Sequence, residues 1–528
     1  MGEALGCGGQ VGSARLAALE EALAPMWRAM PKNAGGRVER RALRHLVHRY
    51  FSRRSALLVR GFEPSRPANA SSWGDADILS QRVPAYVESV LESKHAQEHG
   101  FNLRDAAYMV ATLEQLIFDS ESALLEKVYH QQRKATDRSL GAEGLGQVLE
   151  DYMVHWLLGD DEAGIKACLA DRTFLASNVP HWSEIAGFAR GQVQALDYRR
   201  QQEPAALARP GRHALATRYS FEDAHDMVGG ITRSFASFWD SECASMKDQL
   251  VKMDTHHTGR VPLSRFYSSA LDTEWRFGES EAYLRELGAL DETSSWHGKQ
   301  VIIPNYLQAA SNCIVSTPHY LVCCVNECEG ILGEIERRVA APVAPALQLA
   351  TVVAGLSSAT VAAPRNLSGQ LLLRLGEVAT HHGGQVPLHG RLFSQWLHHA
   401  FPRECPFPHA AGTTNPMTPA EWLAETGLPT TQPAEAAVAQ TGAHEGTQEP
   451  GLEAEALPWV GIEELVHPVS PVLQPPPQGR LRAVVQGLAL LAALVVLLRS
   501  LFRDAALLRS SKPQASLLLP YSAKSHLA

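Results

Sequence analysis

Apolar residues recur at helical spacing through most of this chain. Leu16, Leu19, Leu23, Met26 and Met30 form one stripe, and Phe235, Phe238, Trp239, Met246, Leu250 and Met253 a second. A third runs through Leu367, Leu371, Leu372, Leu375 and Val378. Steps of three and four place each set on one face of a helix. Alternating patterns are short and scarce, the best strand candidate being VIIPNY at 301–306. The body is therefore expected to be mostly α. Two departures mark the C-terminal end. Between Arg403 and Arg480 there is no Lys or Arg, while Glu421, Glu425, Glu435, Glu445, Glu449, Glu453, Glu455, Glu463 and Glu464 accumulate among Pro, Thr, Ala and Gly. Too little apolar surface is available there to offset ordering entropy, so residues 426–479 are expected to form a disordered acidic linker. The uncharged run AVVQGLALLAALVVLL follows at 483–498. As a helix it covers roughly 24 Å, and its flanking Leu501 and Phe502 extend it toward the ~30 Å of a hydrocarbon core. A single transmembrane helix is expected at 483–502.

Three of the helical stripes run into similar turns. Gly36 precedes Val38 by two positions, Gly259 precedes Val261, and Gly384 precedes Val386, each followed by a second apolar helical set. Helix, glycine-pivoted loop, β-branched residue and helix is the plan of an EF-hand. A cation-binding loop wants oxygens at positions 1, 3, 5 and 9 and a bidentate Glu at 12. The middle loop offers Asp254 at position 1, Thr258 at 5 and the main chain of Arg260 at 7, which makes these three the candidate calcium residues. Its position 3 is His256, position 9 is Pro262 and position 12 is Arg265, a charge of the wrong sign. The first loop has Pro31 and Ala42 at positions 1 and 12, and the third has Ala379 and Gly390. The units are thus degenerate, with loops kept for geometry. These boundaries divide the chain into a flexible N-terminus (1–13), helical domains at 14–202, 203–340 and 341–425, the linker (426–479), the span (483–502) and a basic tail (503–528).

The segments VIIPNYLQAASNC, YLVCCVNECEGILGEIE, PRNLS, VPLHGRLFSQWLHHAFPRECPFPH and GTTNPMTPAEW together resemble a large family of dinoflagellate and related protist proteins. Members are described as EF-hand-domain-containing and often carry a transmembrane segment. The resemblance covers roughly Leu16 to Gly427. It implies a helical EF-hand-like body and membrane attachment, and transfers no catalytic residue.

Composition narrows the partners. In 528 residues, 48 Lys and Arg face 56 Asp and Glu, for a net charge of -8, so no global basic field recommends nucleic acid. The basic run 37–54 could meet anionic lipid or acidic protein, although a solvated helix face is the plainer expectation. Of eight cysteines, Cys313, Cys323, Cys324 and Cys328 crowd together. No C-x2-C zinc spacing occurs, so in an oxidising compartment disulfides are expected among these four and Cys405. Cys7, Cys168 and Cys243 complete the set. Histidine numbers 22, and His381, His382, His389, His398, His399 and His409 gather near Cys405, without a carboxylate-backed i,i+4 pair that would make a firm metal site. N-x-S sequons stand at Asn69 and Asn366.

Topology signals conflict. Arg480 and Arg482 precede the apolar run, whereas Arg499, Arg503, Arg509 and Lys512 follow it. The positive-inside rule then puts the tail in the cytosol and the body in a luminal or extracellular space. Residues 1–30 contain no signal-peptide core, which is the pattern of a tail-anchored protein with a cytosolic body. The luminal or extracellular side is favoured. MGEALGC resembles a myristoylation start but has Gly6 where Ser or Thr is wanted. G-x-S-x-G, Walker, H-E-x-x-H and G-x-G-x-x-G motifs do not occur, and the Asp75-Ala-Asp77 pair is too short to carry chemistry. The expectation is a non-enzymatic, membrane-anchored interaction or scaffold protein with a protein partner and no cofactor. The alternative is a weak calcium or transition-metal sensor using the Asp254 loop, with an enzyme of unknown class third.

Overall fold

A computed structural model describes residues 13–62, 100–159, 161–202, 218–272, 277–293, 298–317, 319–432 and 457–466. They are mostly helical, as the periodicity requires. The first helices are α1 (Ser13–Ala29) and α2 (Arg40–Ser55), followed by β1 (Leu57–Val59) and the long α3 (Leu103–Gln131). Next come β2 (Leu140–Gly141), α4 (Ala142–Leu158), α5 (Glu162–Ala170), α6 (Arg172–Asn178), α7 (Trp182–Gln202) and β3 (Arg218–Tyr219). The middle of the chain holds α8 (Phe221–Met253), β4 (Arg260–Pro262), α9 (Leu263–Asp272), α10 (Glu281–Glu286), β5 (Leu290–Asp291), β6 (Gln300–Ile302) and α11 (Ile303–Leu307). The last part is β7 (Ile314–Thr317), β8 (Tyr320–Val322), α12 (Glu327–Val339), β9 (Val343–Ala344), α13 (Ala346–Ala354), α14 (Gly369–His381), β10 (Val386–Pro387), α15 (Arg391–Ala400) and α16 (Pro419–Thr426).

Among the described residues, short antiparallel pairings recur just before helix starts. Val38 bridges Phe101 ahead of α2 and α3. Leu140 pairs with Tyr219 ahead of α4 and α8. Val261 pairs with Val301 ahead of α9 and α11, and Ala344 with Val386 ahead of α13 and α15. Two of the helices that leave these pairings are capped by local side chains. Asn102 and Asp105 close a capping box on α3, and Ser220 and Asp223 close one on α8. Each cap satisfies otherwise orphaned amides and is worth about 1 kcal/mol. A separate three-stranded sheet joins β1, β8 and β7, so chain from both ends of the body meets in one layer.

Three large apolar cores and a small fourth one (Val154, Ile165, Cys168 and Leu175) follow among the described residues. The largest packs α1, α2, α3, α4, α7 and the first half of α8, through residues such as Leu23, Leu46, Leu113, Tyr152 and Phe235. A second holds Ile335, Leu349, Leu375, Phe393 and Trp396 from α12 to α15. A third holds Leu250, Val261, Phe266, Tyr283 and Val301. The sequence places helical domains at 14–202, 203–340 and 341–425, and the described residues of these stretches belong to one compact unit. The reason is shared helices. One face of α8 serves the first core through Phe235 and the third through Leu250, and α1 packs on both α3 and α12.

Other differences are local. The strand expected at 301–306 stops at Ile302, because Pro304 sits in the first turn of α11, where its missing N–H and fixed φ suit a helix. Leu372 is exposed although its stripe neighbours Leu371 and Leu375 are buried. The linker reading fails at its edges. Residues 426–432 continue from α16, and residues 457–466 lie in extended form on the body, with Trp459 against the second core. Averaged composition concealed that segment. The remainder of the linker, the 1–12 terminus, Asn69, the Asp75–Asp77 pair, the 483–502 span and the basic tail lie outside the described residues. No helix among the described residues is long and apolar enough to cross a membrane.

Candidate functional site

The strongest sequence candidate, Asp254, is the C-cap residue of α8 and is buried. Its Oδ1 accepts the amide of Thr258 at 3.0 Å and its Oδ2 that of Gly259 at 2.9 Å, as the first residue of such a loop would. The charge that balances it is a guanidinium. Arg403 Nε donates to Asp254 Oδ2 at 2.8 Å, its other nitrogen reaches the Asp254 carbonyl at 3.2 Å, and His257 Nδ1 lies 2.8 Å from the same nitrogen. Thr258, the second candidate, is exposed and uses its main chain in the loop.

Arg260, the third candidate, is buried and turned toward the loop that precedes β6. Its Nε donates to Asp291 Oδ2 at 2.6 Å, and another nitrogen reaches the Thr258 carbonyl at 3.2 Å and lies 3.1 Å from His398 Nε2. Burial pushes the Asp291 carboxyl up, but Arg260 and the two Thr293 donors more than offset this and hold it below the usual range. Two buried carboxylates, Asp254 in the loop and Asp291 at the end of β5, are thus each answered by an arginine. A guanidinium supplies one positive charge and directional donors and needs no shell of six to eight oxygens.

Residues 402–405 fasten this arrangement. Gly259 has φ +72°, and a Cβ there would stand 1.9 Å from the Pro402 carbonyl oxygen, so only glycine permits the approach. Arg403 holds Asp254, Glu404 accepts from Ser358 and Thr360, and Cys405 is bonded to Cys328. The five cysteines predicted to pair do so in three disulfides: Cys313–Cys323, Cys328–Cys405 and Cys243–Cys324. Cys243 was not among the expected partners, since 81 residues separate it from Cys324 and only the packing of α8 brings them together. Cys168 is free and buried.

The clustered histidines do not converge. His382 contacts Glu463 at 2.6 Å, His389 lies 3.3 Å from Glu336, His398 Nδ1 contacts the Cys405 carbonyl at 2.7 Å, His399 that of Pro458 at 2.9 Å, and His409 that of Gly288 at 2.7 Å. His381 is exposed. Among the described residues no group of three His, Cys, Asp or Glu side chains is placed to hold a metal ion. Asn366 is exposed in the non-helical stretch before α14.

The basic helix α2 is only in part the solvated face expected of it: Arg40, Arg53 and Arg54 are exposed, whereas Arg44 and Arg49 are buried. Arg49 is 1% exposed, donates to Glu329 at 2.8 Å and pairs with Glu336 of α12. Carboxylates distant in sequence make that burial tolerable. His45, His48 and His389 surround the pair, and burial holds all three imidazoles below their ordinary range, His48 and His389 at about 4. Sequence reasoning also missed the buried Glu121 of α3, which accepts from Thr232 and from Tyr320 at 2.9 Å; burial pushes its carboxyl up to about 7. A cleft of about 850 Å³ beside α4 and α7 is lined by Lys134, Glu150, Asp151, Arg190 and Asp197, and Glu150 and Asp151 are paired with Arg190 and Arg172. No family model, curated protein or solved structure matches the chain.

Proposed function

We propose that this chain is a membrane-anchored interaction or scaffold protein whose body is built from paired, degenerate EF-hand-like units that hold their shape without calcium. The resemblance to the protist EF-hand-domain-containing proteins belongs to the same proposal. One observation carries it: Arg403 stands against Asp254, the position-1 carboxylate that a cation would otherwise neutralise. The left-handed glycines Gly36, Gly259 and Gly384, each two residues before a bridging valine, support the shared plan of the units. The anchor at 483–502 rests on hydropathy alone. The three disulfides support a body on the luminal or extracellular side, where thiols are oxidised.

The test is a calcium titration of the purified chain, followed by thermal unfolding and by ion content. Millimolar calcium and a chelator are both expected to leave the unfolding midpoint unchanged. Stoichiometric calcium that raises the midpoint would replace this reading with the sensor.

A further inference from the structure

The segment Leu457–Val466, sequence LPWVGIEELV, lies across α14 and α15, with Leu457 and Trp459 against the second core and Val466 against the first, without joining any core as a buried member. Every one of its residues is half-buried or exposed, and Ile462 is 54% exposed. The surface beneath it is built differently. Arg391 is 5% exposed, and its guanidinium donates to the main-chain carbonyls of Ile462 at 2.6 Å, Val460, and Pro408 at 3.0 Å, steadied by Gln395. Pro458 offers its carbonyl to Gln395 at 3.3 Å and to His399 at 2.9 Å. Gly390 bridges Leu465, and the amide of Val466 reaches the His389 carbonyl at 3.2 Å.

Recognition has a charged and an aromatic component as well. Glu463 sits between His382 at 2.6 Å and the Leu392 amide at 3.1 Å, and Glu464 accepts the Ala411 amide at 3.1 Å. The Trp459 ring stacks on His399 with centroids 6.2 Å apart, and Arg374 lies 5.4 Å from it on another side. A buried cation that grips main-chain carbonyls selects an extended backbone. The two carboxylate pockets and the ring contact then select a tryptophan four residues before a Glu-Glu pair. These are the devices of an extended-peptide receptor.

We infer that this face of α14 and α15 is a binding site for an extended acidic peptide. Leu457–Val466 is its resident ligand in cis, and a partner protein with a like segment is its ligand in trans. Because the resident segment is part of the same chain, its binding is intramolecular, and a competitor in trans must exceed its effective concentration to displace it. The inference does not depend on how the loops treat calcium.

The test uses the full chain in detergent and a fluorescent LPWVGIEELV peptide. Wild type is expected to bind the probe at least tenfold more weakly than a Trp459→Ala/Glu463→Gln variant, whose own segment no longer fills the site. A probe with both Glu replaced by Gln should lose binding to the variant. Equal binding by variant and wild type, or by a scrambled probe, would overturn the inference. Should the variant fold poorly, protease sites inserted within 433–456 and 467–482 free the natural segment by cleavage. Exchange with the labelled peptide in a body of unchanged helicity supports a receptor site. Refusal to exchange, or unfolding on its loss, shows an integral strand instead.

Discussion

At Asp254 the choice of counter-charge decides what the loop can respond to. Arg403 is fixed by its own backbone and cannot dissociate as an ion does, so the charge balance is independent of solution composition. Its side chain is 11% exposed and that of Asp254 0%, which makes removal of one partner costly. Arg403→Gln is expected to destabilise the fold by about 3–5 kcal/mol, as for other broken buried pairs. It is also the variant in which millimolar calcium should recover part of the lost melting temperature; a variant as stable as wild type would show that the pair does not hold the loop. Histidine protonation gives a second prediction at this scale. His45, His48 and His389 are depressed in the fold relative to ~6.5 in an unfolded chain, so on acidification the unfolded state binds protons first. Their contribution is complete above about pH 6.5, and that of His48 and His389 is lost as pH falls through about 4. Glu121, raised to about 7, works in the opposite sense, favouring the fold at low pH and losing that contribution as pH rises through about 7. Three imidazoles around Arg49 outweigh one carboxyl, so the unfolding midpoint should fall between pH 6.5 and 4. His389→Gln should flatten that slope, and a midpoint that rises on acidification would contradict the assignment.

Elements depend on links that a local pattern does not carry. The Cys243–Cys324 bond ties α8 to the chain just after β8 across 81 residues. Cys243→Ser/Cys324→Ser is expected to cost about 2–5 kcal/mol. A melting temperature indistinguishable from wild type would mean that the bond contributes nothing. The helical stripes and the three glycine turns were legible because periodicity and a positive φ are local demands: Gly36, Gly259 and Gly384 all adopt that conformation. Their pairing partners Phe101 and Ala344 were not, since neither follows a Gly-x signature. The Leu140–Tyr219 pairing escaped altogether, with Arg138 where the turn glycine would stand. Arg403 and Arg49 read as ordinary surface cations until distant carboxylates are placed beside them. The 457–466 segment was hidden by the acidic, Pro-rich composition around it, although Trp459 is an anchor in plain view.

For the whole molecule, the proposed membrane anchoring makes the side on which the body lies the next property to test. In sealed membranes the body is expected to resist added protease while the tail at 503–528 is cut; digestion of the body without detergent would place it in the cytosol and leave its disulfides without an oxidising environment. The same molecule also carries a demand on its synthesis. Arg49 in α2 meets Glu329 and Glu336 only 280 and 287 residues later. At about 5–20 residues per second, the nascent chain exposes that helix for on the order of 15–60 s before its partners leave the ribosome. Until then the Arg49 guanidinium has no native carboxylate partner. Slower elongation is therefore expected to lengthen the time for which that charge stands unpaired, and to lower the yield of folded chain.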